Sequence, residues 1–262
     1  MARKRTDWLQ IGSGKSYAHR VHRPLQCLIF ISPLLIFYQV ASAIHPWTPE
    51  QGDTPLVEAF VLMLKFFGIF GVAGNYFPLL AVVAILLAWH LARKDKWTCE
   101  PSLYLGMAAE SIAWGIPIFI IGLALMRYAS PVLPSLAAAP VLANVGALPF
   151  KSQLVLSVGA GVYEELLFRL IAITVLNILL IDVFELQVSA AIPLIILASA
   201  LLFSIYHYLG EPFQTGTFLF RTGIGVYLAG IYIYRGFGIA VGTHTVYDII
   251  VATYWQTHHQ AL

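Results

Sequence analysis

The sequence predicts an all-α protein that crosses the membrane several times, and three observations lead to this fold class. Apolar residues make up 59% of the 262-residue chain, while charged residues make up only 11%. The mean hydropathy is +0.80, whereas a soluble domain carries about 25% charged residues. The apolar residues also fall into long runs, and a helix needs about 20 residues to cross a bilayer. We therefore expect one polytopic bundle of seven or eight transmembrane helices.

Eight apolar segments are the candidate helices, and a Pro- and Ala-rich stretch divides them into two groups. The segments cover residues 24–44, 56–72, 76–92, 102–126, 151–181, 188–208, 217–234 and 237–256. Four regions are expected from this pattern. They are a basic N-terminal tail at 1–23, N-terminal transmembrane helices at 24–128, a loop at 129–149 and a C-terminal transmembrane core at 150–257.

The basic residues indicate orientation. Those of the N-terminal tail precede the first apolar segment, which is too long for a signal peptide, so a cytoplasmic N-terminus is predicted. A second basic group, at Arg93, Lys94 and Lys96, falls on the opposite side if all eight segments cross. A single crossing within residues 56–92 removes this conflict, and both seven and eight crossings stay open.

Charge and cysteine content exclude other classes. The formal net charge is only +2 and the basic residues are concentrated in the two groups above, so no nucleic-acid partner is indicated. Cys27 and Cys99 are far apart in sequence and lack metal-ligand spacing. The lipid bilayer is the expected environment.

Three patches of ionisable residues interrupt the apolar runs of the C-terminal core. A charge at the bilayer centre costs about 2.5 to 3.5 kcal/mol on insertion scales, and such residues usually mark function. The patches are Glu164-Glu165 with Arg169, Phe203 with His207, and His244 with Asp248.

Helical geometry gives each patch a defined face. Residues four apart are neighbours on a helix, so Glu165 can pair with Arg169. Glu164 lies about 100° further round and is left outside that pair. A spare carboxylate in apolar surroundings is suited to exchange protons as a general base. The two histidines and Asp248 on neighbouring helices could complete a site for water, a metal or a developing oxyanion.

The order and spacing of these patches resemble the CPBP family of intramembrane proteases, which includes the type II CAAX prenyl endopeptidases. The resemblance is carried by Gly161-Val-Tyr-Glu-Glu-Leu-Leu-Phe-Arg169, Phe203-x-x-x-His207 and His244-x-x-x-Asp248, and covers roughly residues 100–256. It implies a catalytic core that cleaves membrane-associated proteins or peptides close to or within the bilayer.

The resemblance also implies roles for individual residues. Glu164 would activate the hydrolytic water with help from His207, while Glu165 and Arg169 would hold the helix and the carboxylate in place. His244 and Asp248 would stabilise the oxyanion or bind a metal, and Phe203 is expected to pack and shape the site.

The sequence leaves the mechanism open between glutamate-driven and metal-dependent hydrolysis. If zinc is bound, Glu164, His207 and His244 are the expected ligands. The metal-free mechanism is favoured because the spare glutamate suffices as a base. Some relatives carry Asn where this chain has Asp248, and an ionised Asp cannot donate to an oxyanion. Asp248 is therefore either protonated, or it orients His244 or helps to bind a metal.

Two other classes of function remain as alternatives. Intramembrane Glu, His and Asp also form proton or ion paths in transporters, although the inverted repeat typical of many transporters is not visible in the sequence. A non-catalytic scaffold or bacteriocin-immunity protein is the second alternative. Taken singly, Glu165 with Arg169 would be a structural ion pair, but such pairing gives Glu164 no local partner.

Ionisable residues outside the patches are expected to have structural roles. Interfacial snorkelling or helix–helix pairing is predicted for Glu58, Lys65, Glu110, Arg221 and Arg235. The tyrosines of the C-terminal core, Tyr206 among them, are predicted to lie at the membrane interface or to line the site.

Overall fold

The computed structural model describes residues 16–44, 57–125, 148–209 and 212–259, and these residues form helices and no strands. The predicted all-α class is confirmed. The expected number of seven or eight helices is not confirmed, because the described residues form nine. The additional short helix lies at the end of the basic tail. Most of the loop expected at 129–149 lies outside the described residues, as does the tail before residue 16.

Nine helices can be placed in order along the described residues. They are α1 (Tyr17–Val21), α2 (Pro24–Ile44), α3 (Glu58–Ile69), α4 (Phe77–Arg93), α5 (Pro101–Ala124), α6 (Phe150–Val183), α7 (Val188–Tyr206), α8 (Thr215–Arg235) and α9 (Phe237–His259). Among the described residues, α2, α5, α6, α7 and α8 are long and apolar enough to cross a membrane, while α4 is apolar but shorter. The protein is therefore an integral membrane protein.

Helix α9 lies at the centre of the bundle and packs mainly against α5 and α6. Glycines allow these close approaches. A Cβ atom on Gly161 of α6 would lie 2.0 Å from Thr245 Oγ1, and one on Gly242 of α9 would lie 2.3 Å from Ser111 Oγ of α5. Small residues at helix contacts are typical of membrane bundles, where packing rather than the hydrophobic effect holds helices together. Thr243, His244 and Thr245 of α9 are buried among these helices.

Two local backbone features affect how α6 and α9 run past the predicted site residues. Helix α6 is α-helical over Phe150–Glu165 and widens into a π-helical turn at Leu166–Ala172, a feature that often accompanies functional sites. Helix α8 ends at Gly236, whose φ of +90° suits glycine. This residue lets α9 begin at once and fold back along the bundle.

A second polar cluster, which we call the Glu110 clamp, joins α1, α5 and α8. Arg235 donates one hydrogen bond to each oxygen of Glu110, the one from its Nη2 atom spanning 2.8 Å. Tyr17 donates to Glu110 Oε2 at 2.8 Å, and Trp114 donates to Oε1 at 3.0 Å. This is the helix–helix pairing expected for Glu110 and Arg235.

Candidate active site

Helices α6, α7 and α9 bring the three predicted patches together around Glu164. His207 Nε2 lies 3.9 Å from Glu164 Oε1, and His244 Nε2 lies 3.8 Å from Glu164 Oε2. Glu165 and Arg169 are completely buried, while Glu164 and His244 are nearly so. The spare acid and both imidazoles therefore share one site, although they are distant in sequence.

Glu165 is the anchor between two of the patches. Its Oε2 lies 3.2 Å from Arg169 Nε, which is the ion pair expected from the i, i+4 spacing. Its Oε1 lies 2.8 Å from His244 Nδ1, a contact between α6 and α9 that the spacing did not indicate. Arg169 also stacks over Phe203, with its guanidinium carbon 4.5 Å from the ring centroid. Phe203 thus packs in the site and also supports the buried cation.

The contact with Glu165 fixes the roles of the His244 nitrogens. An ionised carboxylate only accepts hydrogen bonds, so Nδ1 of His244 must carry the proton and donate it to Glu165. Nε2 then points to the other two acids, 3.8 Å from Glu164 Oε2 and 3.6 Å from Asp248 Oδ2. A proton on Nε2 would therefore lie between two carboxyl groups and face the site.

His207 is oriented by its own helix. Its Nδ1 lies 2.8 Å from the Phe203 carbonyl oxygen and donates to it, because a carbonyl has no proton to give. The neutral ring therefore turns the lone pair of Nε2 towards Glu164, 3.9 Å away. Two atoms at this separation do not hydrogen-bond each other, and a water molecule beside the Glu164 carboxylate could also reach His207 Nε2.

Tyr206 is a site residue that the sequence reasoning placed only as an interface or lining residue. Its hydroxyl donates a hydrogen bond to Glu164 Oε1, so Glu164 has a direct partner after all. The one feature of the sequence that could have indicated this role is that Tyr206 directly precedes His207. Adjacent residues on a helix point about 100° apart, however, and the sequence gives no rotation of α7 relative to α6.

The site opens towards Asp248 and His207. The Asp248 side chain is 26% exposed and that of His207 is 18% exposed, compared with 7% for Glu164. Arg221 of α8 is buried, with its guanidinium carbon 5.7 Å from the ring centroid of Tyr208, the residue that follows His207. Arg221 therefore lies nearer to the site than its predicted structural role indicated.

The predicted zinc ligands do not form a metal site in this arrangement. Within the ranges that the structure describes, no group of three or more His, Cys, Asp or Glu residues is placed to hold a metal ion. The two histidines face different oxygens of Glu164, and Oε1 already accepts the Tyr206 hydroxyl.

Taken together, these features define a class of protein: a polytopic helical membrane protein with a buried carboxylate between two oriented imidazoles. A carboxylate and imidazoles at this spacing can deprotonate water and stabilise developing negative charge. The site therefore has the elements of a hydrolase.

Residues 147–250 match the family model described as type II CAAX prenyl endopeptidase Rce1-like. The matched region contains all six predicted site residues, and it confirms the predicted relationship to the CPBP group of CAAX proteases. The family supports a CAAX-type intramembrane protease, with a membrane-associated substrate and a lipid environment. No curated protein and no solved structure matches the chain.

Proposed function

We propose that this protein is an intramembrane endopeptidase in which Glu164 is the general base. One observation carries the proposal. Glu164 is buried, its Oε1 accepts one hydrogen bond, and its Oε2 faces the site with the nearest imidazole nitrogen 3.8 Å away. A carboxylate in this position retains the capacity to accept a proton from water.

The reaction follows from these positions. A water molecule beside Glu164 gives a proton to the carboxylate while its oxygen attacks the carbonyl carbon of the scissile peptide bond. The neutral Nε2 of His207 accepts the second hydrogen of the water as a hydrogen bond and orients it. Glu164 then transfers the proton to the leaving amide nitrogen as the C–N bond breaks. This leaves a new carboxyl group and a new amine.

The oxyanion would form on the side of His244. When Nε2 of His244 is protonated it can donate to that oxygen, because Glu165 holds the Nδ1 proton. Asp248 Oδ2, 3.6 Å from Nε2, would keep the imidazole charged between reaction cycles. Arg169 would neutralise Glu165 within α6, and the bond from His244 to Glu165 would hold α9 against α6 at the site.

The substrate class is proposed from the family description. It names CAAX prenyl endopeptidases, so we propose a peptide that is anchored in the membrane by a prenyl group near its C-terminus. The buried position of Glu164 in an apolar bundle supports a substrate that approaches from the lipid.

The central test is the isosteric variant Glu164→Gln. We expect cleavage to fall by about 10²- to 10⁴-fold, because an amide cannot accept the proton. Membrane peptides from cells with wild-type protein and with the variant are compared by mass spectrometry, and the identified substrate is assayed with purified protein. The matched control is Glu185→Gln, at an exposed position between α6 and α7, which should cleave normally. Cleavage by Glu164→Gln at the wild-type rate would refute the proposed mechanism.

The prenyl group is tested separately with two peptides of one sequence, one prenylated on its cysteine and one not. We expect a higher kcat/KM for the prenylated peptide, because burying each additional CH2 group contributes about 0.8 kcal/mol. Equal kcat/KM values for the two peptides would remove the prenyl group from the proposal and leave the protease activity intact.

A further inference from the structure

The nearest partner of Glu164 is a phenol and not an imidazole. In the described part of the chain, the Tyr206 hydroxyl donates the hydrogen bond that Glu164 Oε1 accepts. The imidazole nitrogens of His207 and His244 remain 3.9 and 3.8 Å from the carboxylate oxygens. These gaps are too long for hydrogen bonds. Glu164 Oε1 is therefore hydrogen-bonded, while the imidazole nitrogen facing Oε2 stays 3.8 Å away.

The Tyr206 ring is firmly held. It packs against Phe168, with ring centroids 4.8 Å apart, and against His207 at 4.3 Å. The side chain is buried at the last residue of α7, where the chain tightens into a short 3-10 turn, His207–Leu209. Because the ring is enclosed on several sides, the direction of its hydroxyl is fixed by the packing of α6 against α7.

Without a tether, the Glu164 carboxylate would be able to turn. The last torsion of a Glu side chain is broad and roughly two-fold, so packing or hydrogen bonds must set its orientation. A small rotation would close one of the gaps and form a direct ion pair with an imidazole. That pair would occupy both the base and the imidazole, and the water would lose its acceptor.

We propose that Tyr206 is a positioning residue that holds Glu164 Oε1 and thereby reserves Oε2 for the proton of the attacking water. This inference rests on the proposed function and extends it to a residue outside the three motif patches. The role is indirect, because the Tyr206 hydroxyl acts through Glu164 and not on the substrate. It also accounts for the two gaps, since a tethered carboxylate cannot collapse onto either histidine.

The test removes one oxygen atom, and the chain offers a matched control. Tyr206→Phe retains the ring and its packing, and we expect kcat to fall by about 10- to 100-fold while KM changes less than about twofold. Tyr208→Phe is the control, because the Tyr208 hydroxyl donates to the Gln214 carbonyl 3.1 Å away and does not contact Glu164. Tyr208→Phe should cleave with the kcat of the wild-type protein.

The outcomes separate the two proposals. A wild-type kcat for Tyr206→Phe, with Glu164→Gln inactive, would overturn the positioning role and leave the proposed function standing. A raised KM at unchanged kcat would also overturn it, because that pattern indicates contact with the substrate. Normal cleavage by Glu164→Gln would instead refute the proposed function.

A second measurement does not depend on activity. Thermal unfolding of the purified wild-type protein, Tyr206→Phe, Glu164→Ala and the double variant forms a double-mutant cycle. We expect the two substitutions to be non-additive, because each breaks the same hydrogen bond. Additive shifts in melting temperature would show that the two side chains are not coupled, and would refute the tether.

Discussion

The Glu110 clamp and the Glu164 site are both polar clusters inside an apolar bundle, but their carboxylates differ in how far they are satisfied. Glu110 accepts two hydrogen bonds from Arg235, one from Tyr17 and one from Trp114. Glu164 accepts one, from Tyr206, among the residues that the structure describes. A carboxylate has about four acceptor positions, so the first is saturated and the second is not. The comparison indicates that unfilled acceptor capacity, and not charge alone, distinguishes the acid proposed as the general base from the structural one.

The surroundings strengthen this difference. Burial and the hydrogen bond to Glu110 raise the pKa of Tyr17, so this phenol stays a neutral donor in the clamp at physiological pH. The clamp also joins three helices through contacts between residues far apart in sequence, such as Glu110 and Arg235. This arrangement is typical of a cluster that holds helices together. In the Glu164 site, in contrast, Glu165 lies in an ion pair with Arg169 and accepts a hydrogen bond from His244, while its neighbour Glu164 accepts a single hydrogen bond from Tyr206.

The largest effect is expected from Gly161→Ala, which tests whether the Glu164 site depends on close packing of α6 against α9. The new Cβ would lie 2.0 Å from Thr245 Oγ1 and 2.9 Å from the Thr245 backbone nitrogen. Overpacking of this kind costs about 1 to 3 kcal/mol, and it would push Glu164 away from His244. We expect both cleavage activity and melting temperature to fall. Purified protein is assayed for both.

The control for this variant is Gly223→Ala on α8. A Cβ on Gly223 meets nothing within 4 Å, so the substitution should leave activity and stability close to those of the wild-type protein. Normal activity of Gly161→Ala would show that the register of α6 and α9 does not set the geometry of the site.

A smaller effect, confined to stability, is expected from Glu110→Gln. The amide weakens the hydrogen bonds from Arg235, and bonds to charged groups contribute about 1.5 to 3 kcal/mol. The melting temperature should fall, while the kcat of the folded protein should stay unchanged. Chemical denaturation in detergent and a cleavage assay at a temperature where the variant is folded measure the two quantities. A lower kcat would place the clamp within the catalytic apparatus and would remove the distinction drawn above.

Contacts within one helix could be predicted from the sequence, and contacts between helices could not. The spacing of Glu165 and Arg169 predicts their ion pair, and the structure contains it. The bond between Glu165 and His244 joins residues 79 positions apart, and it depends on the depth and rotation of α9 relative to α6. The bond between Tyr206 and Glu164 depends in the same way on α7. Helical periodicity shows which side chains share a face of one helix. It does not show which neighbouring helix that face contacts.

The apolar segments predicted most of the helices but not their number. Helix α1 could not be predicted from an apolar segment, because it is short and contains His19 and Arg20. Helix α9 illustrates the opposite case, since it is long but contains polar residues such as Thr243, His244 and Asp248. Neither the enclosure of these residues nor the number of membrane crossings follows from the average hydropathy of a segment.

The central position of α9 has a consequence for the assembly of the site. Among the described helices, α9 is not one of the five that are long and apolar enough to cross a membrane, and glycine contacts join it to α5 and α6. Packing against these neighbours therefore contributes to its position in the bundle. Two of the six predicted site residues, His244 and Asp248, lie on this helix. If Glu164 is the general base, as proposed, the protein would therefore be able to hydrolyse a substrate only when α9 is packed against α6 and brings His244 opposite Glu164.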